Sequence, residues 1–400
     1  MQRYFQFLVF FIVILYCSYA YQFFFYSGIT GIKPLYWYLI TACLALSVVL
    51  VDQNSAKAPR YFIIWLWVFL CYSIFNFLYS SQSAVAQQAL IQNIQSIVLL
   101  LSFLVIFQQG GVRNVKLAIL IVVLFAVPMN FIDFISPMWS KVPGRASGIY
   151  MNPNTSGKIL VFAMVASITV VPSKFRTLYC MFVGAGVLVT FSRTSWLIWA
   201  LALTVLAGSG YIAFKRKSVS LVFVGLLSCL VIYSLITGGA LGLISDSPVG
   251  QYLKPSTLAR LGGADITVDS SVAGRTVVAL KSLDVFQQYP WFGAGLGYTR
   301  EWDYNISPHN MYLMMAAEGG MLGLALFISL LVILWRNTDN IGRLLVVLFA
   351  VRSISSHNML DQATTLVMLV LIVLSYTNVK AHSAHIKKEL SGNVSNDLVS

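Results

Sequence analysis

The segment Pro308-His309-Asn310 contains the residue best suited to proton transfer in this sequence. Pro308 cannot continue an upstream helix, so His309 is predicted to lie at the start of the long apolar run that follows it. An imidazole has an ordinary pKa of about 6.5, and its neutral form can accept a proton from an incoming hydroxyl group. A histidine at this place could instead be an interfacial residue that only reaches the lipid headgroups. The residues alone therefore make His309 a candidate base or substrate contact.

Two arginines occur where they could hold an anion. Arg193 lies in the short turn Phe191–Trp196 between two apolar runs, beside hydroxyl-bearing residues, and Arg275 follows Gly274 in a long polar loop. A guanidinium group matches the oxygens of a phosphate in a two-point geometry. The alternatives are a surface anchor for Arg193 and an ion pair with Asp269 for Arg275.

Three further residues, Arg145, Arg300 and Glu318, are secondary candidates. Arg145 precedes an Asn-Pro-Asn turn and could provide a third anion contact, whereas Arg300 could line the path of an acceptor towards His309. Glu318 lies within the apolar run, where a carboxylate is costly and usually has a partner. At about 100° per residue, its distance from His309 along the chain places it near the opposite helix face. We therefore expect Glu318 to pair with a cation of a neighbouring helix.

The stretch from Pro290 to Gly297 is rich in glycine but does not have the context of a nucleotide site. No alternation of strand and helix surrounds it, and no Gly-Lys-Ser or Gly-Lys-Thr follows. Close backbone packing, or a loop whose amides approach a phosphate, fits it better. The polar loops contain no acidic triplet and no group of His and Cys typical of a metal site. We therefore expect no metal and no other cofactor.

The elements that must position these residues are predicted to be membrane helices. Of the 400 residues, 58% are hydrophobic and only 10% are charged, and the mean hydropathy is +0.80. A soluble domain has about a quarter of its residues charged, and runs of about 20 apolar residues can cross a bilayer as helices. The fold is therefore predicted to be all-α and integral to the membrane, with about twelve transmembrane helices. These lie near residues 4–26, 35–51, 61–80, 90–108, 116–135, 157–172, 177–191, 194–213, 219–238, 310–335, 342–356 and 363–379.

The formal net charge of +13 does not indicate a nucleic-acid partner, because the basic residues lie in short loops between apolar runs. Most of them fall in alternate loops, such as the one containing Lys215-Arg216-Lys217. By the positive-inside rule this places the N- and C-termini in the cytoplasm. Cations kept on the outer side against this bias are candidates for binding an anion. They are Lys33, Lys141, Arg145, Lys158, Arg193, Lys254, Arg260, Arg275, Lys281, Arg300 and Arg352.

The chain is predicted to form a single membrane domain over residues 1–400. One large outer loop, residues 239–308, carries apolar residues at helical spacing between residues 271 and 288, so we expect part of it to be a helix lying on the bundle. Loops of this length are uncommon without a function. Residues 380–400 are predicted to form a polar cytoplasmic tail.

Four ordered motifs make the chain similar to the O-antigen ligase and O-antigen polymerase superfamily of bacterial inner-membrane glycan transferases. They are Arg-Ala-Ser-Gly…Asn-Pro-Asn at 145–154, Phe-Ser-Arg-Thr-Ser-Trp at 191–196, Pro-Trp-Phe-Gly-Ala-Gly-Leu-Gly at 290–297, and Pro-His-Asn…Glu-Gly-Gly…Leu-Gly at 308–324. The resemblance implies that a glycan on undecaprenyl diphosphate is transferred at the periplasmic face, in an inverting reaction without a metal. It also implies that Arg193 and Arg275 hold the diphosphate, while His309 orients or deprotonates the acceptor.

Within the superfamily, the single dominant outer loop favours a ligase, whose acceptor is a sugar hydroxyl of lipid A–core. A polymerase, whose acceptor is a second lipid-linked repeat, is the first alternative, because the motif at 145–154 occurs in both branches. The second alternative is a twelve-span secondary transporter. A transporter would be expected to have coupling carboxylates near the middle of the membrane, but the few acidic residues in or beside the apolar runs are Asp133, Glu318 and Asp361, two of them near outer ends.

Overall fold

The computed structural model of the protein describes residues 2–52, 59–142, 145–213, 270–302 and 307–375. Regular structure in these ranges is helical, and they contain no β-strand. The predicted all-α class is therefore confirmed for the described residues. The first part of the predicted outer loop, residues 239–269, and the predicted tail, 380–400, lie outside these ranges.

Fourteen α-helices follow one another in the described ranges. They are α1 (Gln2–Cys17), α2 (Ala20–Tyr26), α3 (Pro34–Val51), α4 (Arg60–Tyr79), α5 (Ala84–Gly110), α6 (Val112–Ile135), α7 (Pro153–Ser167), α8 (Arg176–Leu188), α9 (Arg193–Gly208), α10 (Ser270–Gln288), α11 (Tyr298–Glu301), α12 (Met311–Arg336), α13 (Asn340–Ser353) and α14 (Ala363–Ser375). Each predicted apolar segment overlaps at least one of these helices, except 219–238, which lies outside the described residues.

Five of these helices, α3, α4, α5, α6 and α12, are long and apolar enough to cross a membrane, and the bent pair α1–α2 makes a sixth if it is counted as one span. Large apolar side chains on them face outward, including Leu50 (74% exposed) and Trp67 (63% exposed). Such surface is stable only against lipid. The protein is therefore a multi-pass membrane protein. Of the other helices, α10 has 19 residues but is not apolar enough to cross a membrane, and the rest are shorter. The count of twelve spans therefore stays a prediction.

Helix α7 lies at the centre of the bundle, where it packs against α6, α8, α9 and α13. Nearly all its side chains are buried, and the same is true of α14. The two helices approach each other where Lys158 and Phe162 of α7 lie beside Thr365 and Met368 of α14. Because α7 is surrounded by other helices, polar side chains such as Lys158 are buried within the protein.

Helix α12 is broken at Gly320, where the backbone takes the non-helical angles φ 59° and ψ −156°. The glycine-rich stretch 290–297 packs into this break. Close backbone packing is one of the two roles that the sequence suggested for this stretch. At the break, backbone groups of α12 form hydrogen bonds with amides and carbonyls of this stretch in place of bonds within the helix. Backbone groups away from water must be satisfied in this way. The bonds run from the amide of Ala294 to the carbonyl of Ala317 (2.8 Å), Gly295 to Glu318 (3.1 Å), Met321 to Pro290 (2.7 Å) and Leu322 to Trp291 (3.3 Å).

Helix α10 forms where the sequence predicts a helix in the outer loop, and it packs on α12. Val278 and Val285 are buried, with Ser282 between them, whereas Leu280 is 62% exposed. Arg275 lies on an exposed part of α10, and its charge acts on His309 at the start of α12.

Candidate functional site

His309 lies immediately before helix α12, as predicted from Pro308. The side-chain oxygen of Asn310 accepts hydrogen bonds from the amides of Tyr312 (2.9 Å) and Leu313 (3.1 Å), which caps the helix and fixes its first turn. His309 itself has a positive φ of 52°, a conformation uncommon outside glycine. The cap and this backbone geometry hold a half-buried imidazole in the space next to α10 and α13.

The surroundings of His309 are basic. Its ring meets that of His357 edge to face, with 5.3 Å between the centroids. Burial lowers the pKa of His309 below its ordinary value of 6.5, and the positive charges of Arg275 and then Arg352 lower it further. These surroundings favour the neutral form of the imidazole, which is the form that can accept a proton.

Sequence reasoning missed the contribution of His357 to this group. It lies in the connection between α13 and α14, where burial together with the charges of His309, Arg300 and Lys158 lowers its pKa to about 4. Arg352, at the end of α13, and Lys158, on α7, were predicted only as outer-side cations. No sequence spacing links these residues to His309, because they come from separate helices that only tertiary packing brings together.

Arg193, which the sequence places within the turn Phe191–Trp196, is the first residue of α9, and its side chain is exposed. The turn rests on helix α7, because a methyl group at Gly157 would lie 2.6 Å from Ser195 Oγ and 3.0 Å from Thr190 Oγ1. Arg193 therefore stands beside the helix that carries Lys158. The structure gives no direct contact between Arg193 and His309.

Arg145 is buried and braces the same turn. Its Nε donates to the carbonyl of Thr190 (2.9 Å) and its Nη2 donates to Asn154 Oδ1 (2.9 Å). The preceding segment is fixed by Asp133, whose carboxylate accepts hydrogen bonds from four backbone amides. These are the amides of Met138, Trp139, Ser147 and Gly148. The position of Arg145 thus supports the turn that carries Arg193.

Arg300 and Glu318 meet in a second group of polar side chains. Nη1 of Arg300 donates to Gln92 Oε1 (2.6 Å), and its Nη2 lies 3.4 Å from Asp361 Oδ2. The buried carboxylate of Glu318 accepts from the amides of Gly297 (3.2 Å) and Thr299 (3.2 Å) and from the Thr299 hydroxyl (2.5 Å). Arg300, on the neighbouring helix α11, also acts electrostatically on this carboxylate, so the pairing of Glu318 with a cation of a neighbouring helix stays a prediction. A cavity of about 40 Å³ lies between Arg300, Asp361 and Glu318.

The six residues singled out from the sequence thus fall into three neighbouring groups. His309 and Arg275 form one, Arg193 and Arg145 the second, and Arg300 and Glu318 the third. Across the described ranges, no three His, Cys, Asp or Glu side chains come together in a group that could hold a metal ion. The chemistry available to these groups is proton transfer at an imidazole and anion binding by guanidinium groups.

The fold and these groups define a multi-pass helical membrane protein with a basic site at the ends of its helices. The sequence model of the O-antigen ligase family matches residues 178–328, which contain Arg193, Arg275, His309 and Glu318. The resemblance drawn from the motifs is therefore confirmed for this part of the chain, which matches the O-antigen ligase family. No curated protein shows significant similarity to the chain.

Proposed function

We propose that the protein is an O-antigen ligase. It would transfer a glycan from undecaprenyl diphosphate to a sugar hydroxyl of lipid A–core, at the periplasmic face of the bacterial inner membrane and with both termini in the cytoplasm. The observation that carries the proposal is the position of a half-buried His309 near the charge of Arg275, inside the region that matches the O-antigen ligase family.

In the proposed reaction, His309 accepts the proton of the acceptor hydroxyl while its oxygen attacks the anomeric carbon of the donor sugar. The bond from that carbon to the diphosphate oxygen breaks, and the configuration at the carbon inverts. Arg275 and Arg193 hold the departing diphosphate and stabilise the negative charge that develops on it. No metal is required, because guanidinium groups take the role that a divalent cation has in many other transferases.

A polymerase would use the same chemistry with a second lipid-linked repeat as the acceptor, and the family match is common to both. A secondary transporter is less well supported. The carboxylates of Asp133, Glu318 and Asp361 are already engaged by backbone amides or by Arg300, so they do not form a coupling site open to an ion. We therefore favour transfer over transport.

The direct test uses the purified protein in lipid nanodiscs with a glycan on undecaprenyl diphosphate. Lipid A–core and a second lipid-linked repeat are offered as acceptors in separate reactions, each with and without a chelator. We expect a product on lipid A–core whose yield is unchanged by the chelator. Elongated lipid-linked glycan would identify a polymerase instead, and the absence of any product would leave transport as the better proposal.

The pH dependence of kcat/KM is expected to reflect the lowered pKa of His309. Protonation removes the base, so activity should fall as the pH drops, with a midpoint below 6.5. A neighbouring cation disfavours protonation of the imidazole.

Arg275→Gln should therefore move the midpoint of the pH profile upward, towards 6.5, in addition to weakening donor binding. Lys281→Gln, on the same helix, where Lys281 pairs with Asp284 at 2.8 Å, is the matched control and should leave the midpoint in place. An unchanged midpoint in Arg275→Gln would contradict the assignment.

A further inference from the structure

Two basic side chains, Lys158 and Arg352, are buried near the pair His309 and His357: Arg352 acts on His309, and Lys158 acts on His357. Lys158 is 3% exposed and Arg352 is 6% exposed. Neither forms an ion pair with a carboxylate in the ranges that the structure describes. Burying a charge without a counter-charge costs several kcal/mol even after the surroundings relax, so this arrangement needs an explanation.

The hydrogen bonds that these side chains make are few and involve neutral partners. Lys158 Nζ donates to Gln362 Oε1, and Arg352 Nη1 donates to Ser355 Oγ (3.0 Å). The Nε of Arg352 and the Nδ1 of His357 are both buried without a hydrogen-bond partner. The Arg352 guanidinium therefore retains donor capacity in the interior of the protein, and the imidazole of His357 retains an unpaired nitrogen.

The charges of this group also act on one another. Arg352 repels Lys158, and Arg275 repels Arg352. Three cations that converge without an acidic partner are unfavourable by themselves and become favourable once an anion lies among them. Because Arg275 is exposed on α10 whereas Arg352 and Lys158 are buried, the anion would reach the buried pair past Arg275 and His309.

We propose that Arg352 and Lys158, together with Arg275, form an inner phosphate site behind His309 that holds one phosphate group of the lipid diphosphate. The inference rests on the proposed function, since it assigns this site to the donor of that reaction. Arg352 would provide the two-point contact through Nε and a terminal nitrogen, and Lys158 would provide a point charge. Arg193 would then contact the outer part of the diphosphate.

The test measures binding without transfer, using undecaprenyl diphosphate as the probe and the thermal stability of the purified protein as the readout. We expect undecaprenyl diphosphate to stabilise the unsubstituted protein. In Arg352→Gln and Lys158→Gln the affinity should fall on the order of 10- to 100-fold, as for the loss of a hydrogen bond to a charged group. Because each substitution removes a buried charge that has no counter-charge, the ligand-free variants should be as stable as the unsubstituted protein or more stable.

The control is Lys116→Gln, which should bind undecaprenyl diphosphate normally. Lys116 donates to Thr169 (3.1 Å) and is not among the cations that act on His309.

The possible outcomes separate this inference from the proposed function. Normal binding by Arg352→Gln in a protein that transfers glycan would overturn the inner site but leave the ligase intact. Absence of binding by the unsubstituted protein, together with absence of transfer, would remove the function itself. Affinity lost for lipid A–core but kept for undecaprenyl diphosphate would assign the site to acceptor phosphates and overturn our assignment. Should Arg352→Gln not fold, Arg352→Lys keeps the charge and removes Nε, and it should still bind at least tenfold more weakly.

Discussion

Replacing His309 with Asn is expected to lower the rate of glycan transfer by about 10²- to 10⁴-fold, which is the usual contribution of a positioned general base. Asn is the informative choice because His309 has a φ of 52°, and asparagine tolerates this left-handed conformation better than most residues. The variant therefore removes the imidazole and keeps the backbone that leads into α12. Transfer to lipid A–core should be measured with saturating donor, together with donor binding.

The matched control is His357→Asn, which removes the imidazole whose ring centroid lies 5.3 Å from that of His309. Its ring is more deeply buried and its pKa is lower, about 4, so we expect it to support the position of His309 and not to act as the base. Its loss should cost less than tenfold in rate. Near-normal transfer by His309→Asn, with normal thermal stability, would show that His309 is not the base.

The helices could be predicted from hydropathy because lipid imposes a simple requirement. A segment of about 20 apolar residues must satisfy its backbone hydrogen bonds internally, and a helix does so. The start of α12 could also be predicted, since Pro308 and Asn310 are local signals for the beginning of a helix and for its cap. The number of spans is harder to predict from hydropathy, because helices such as α7 and α14 are short and are buried within the protein.

The composition of the site could be predicted only in part. His309 and Arg193 stand out because each is a polar residue at the edge of an apolar run, and Arg275 because it is a cation in the long polar loop. Arg352 and His357 act on or contact His309, and Lys158 acts on His357. They come from three other elements, and no local pattern encodes that convergence. The same limit applies to Glu318. Helical periodicity gave its angle on an unbroken helix, whereas a loop that packs into the break at Gly320 gives it backbone amides as partners.

That break leads to the second large expected effect, which concerns stability. Gly293→Ala should destabilise the protein by about 2–5 kcal/mol, combining overpacking with the strain of a left-handed residue that carries a Cβ. The added methyl group would lie 2.3 Å from the carbonyl carbon of Glu318 and 2.5 Å from both the Glu318 oxygen and the Gly319 nitrogen. These are backbone atoms, so no side chain can rotate away to relieve the contact.

Two other glycines separate the causes of this effect. Gly28 has a similar φ of 73° but nothing within 4 Å of an added Cβ, whereas Gly208 has open space and no positive φ. In thermal unfolding of the purified protein, Gly208→Ala should be close to neutral and Gly28→Ala should lose only the strain contribution, about 1–2 kcal/mol. Gly293→Ala should lose clearly more than either. Equal losses for Gly28→Ala and Gly293→Ala would mean that the loop does not pack into the break of α12. In that case the hydrogen bonds from the amides of Gly297 and Thr299 to the Glu318 carboxylate would have to be rejected.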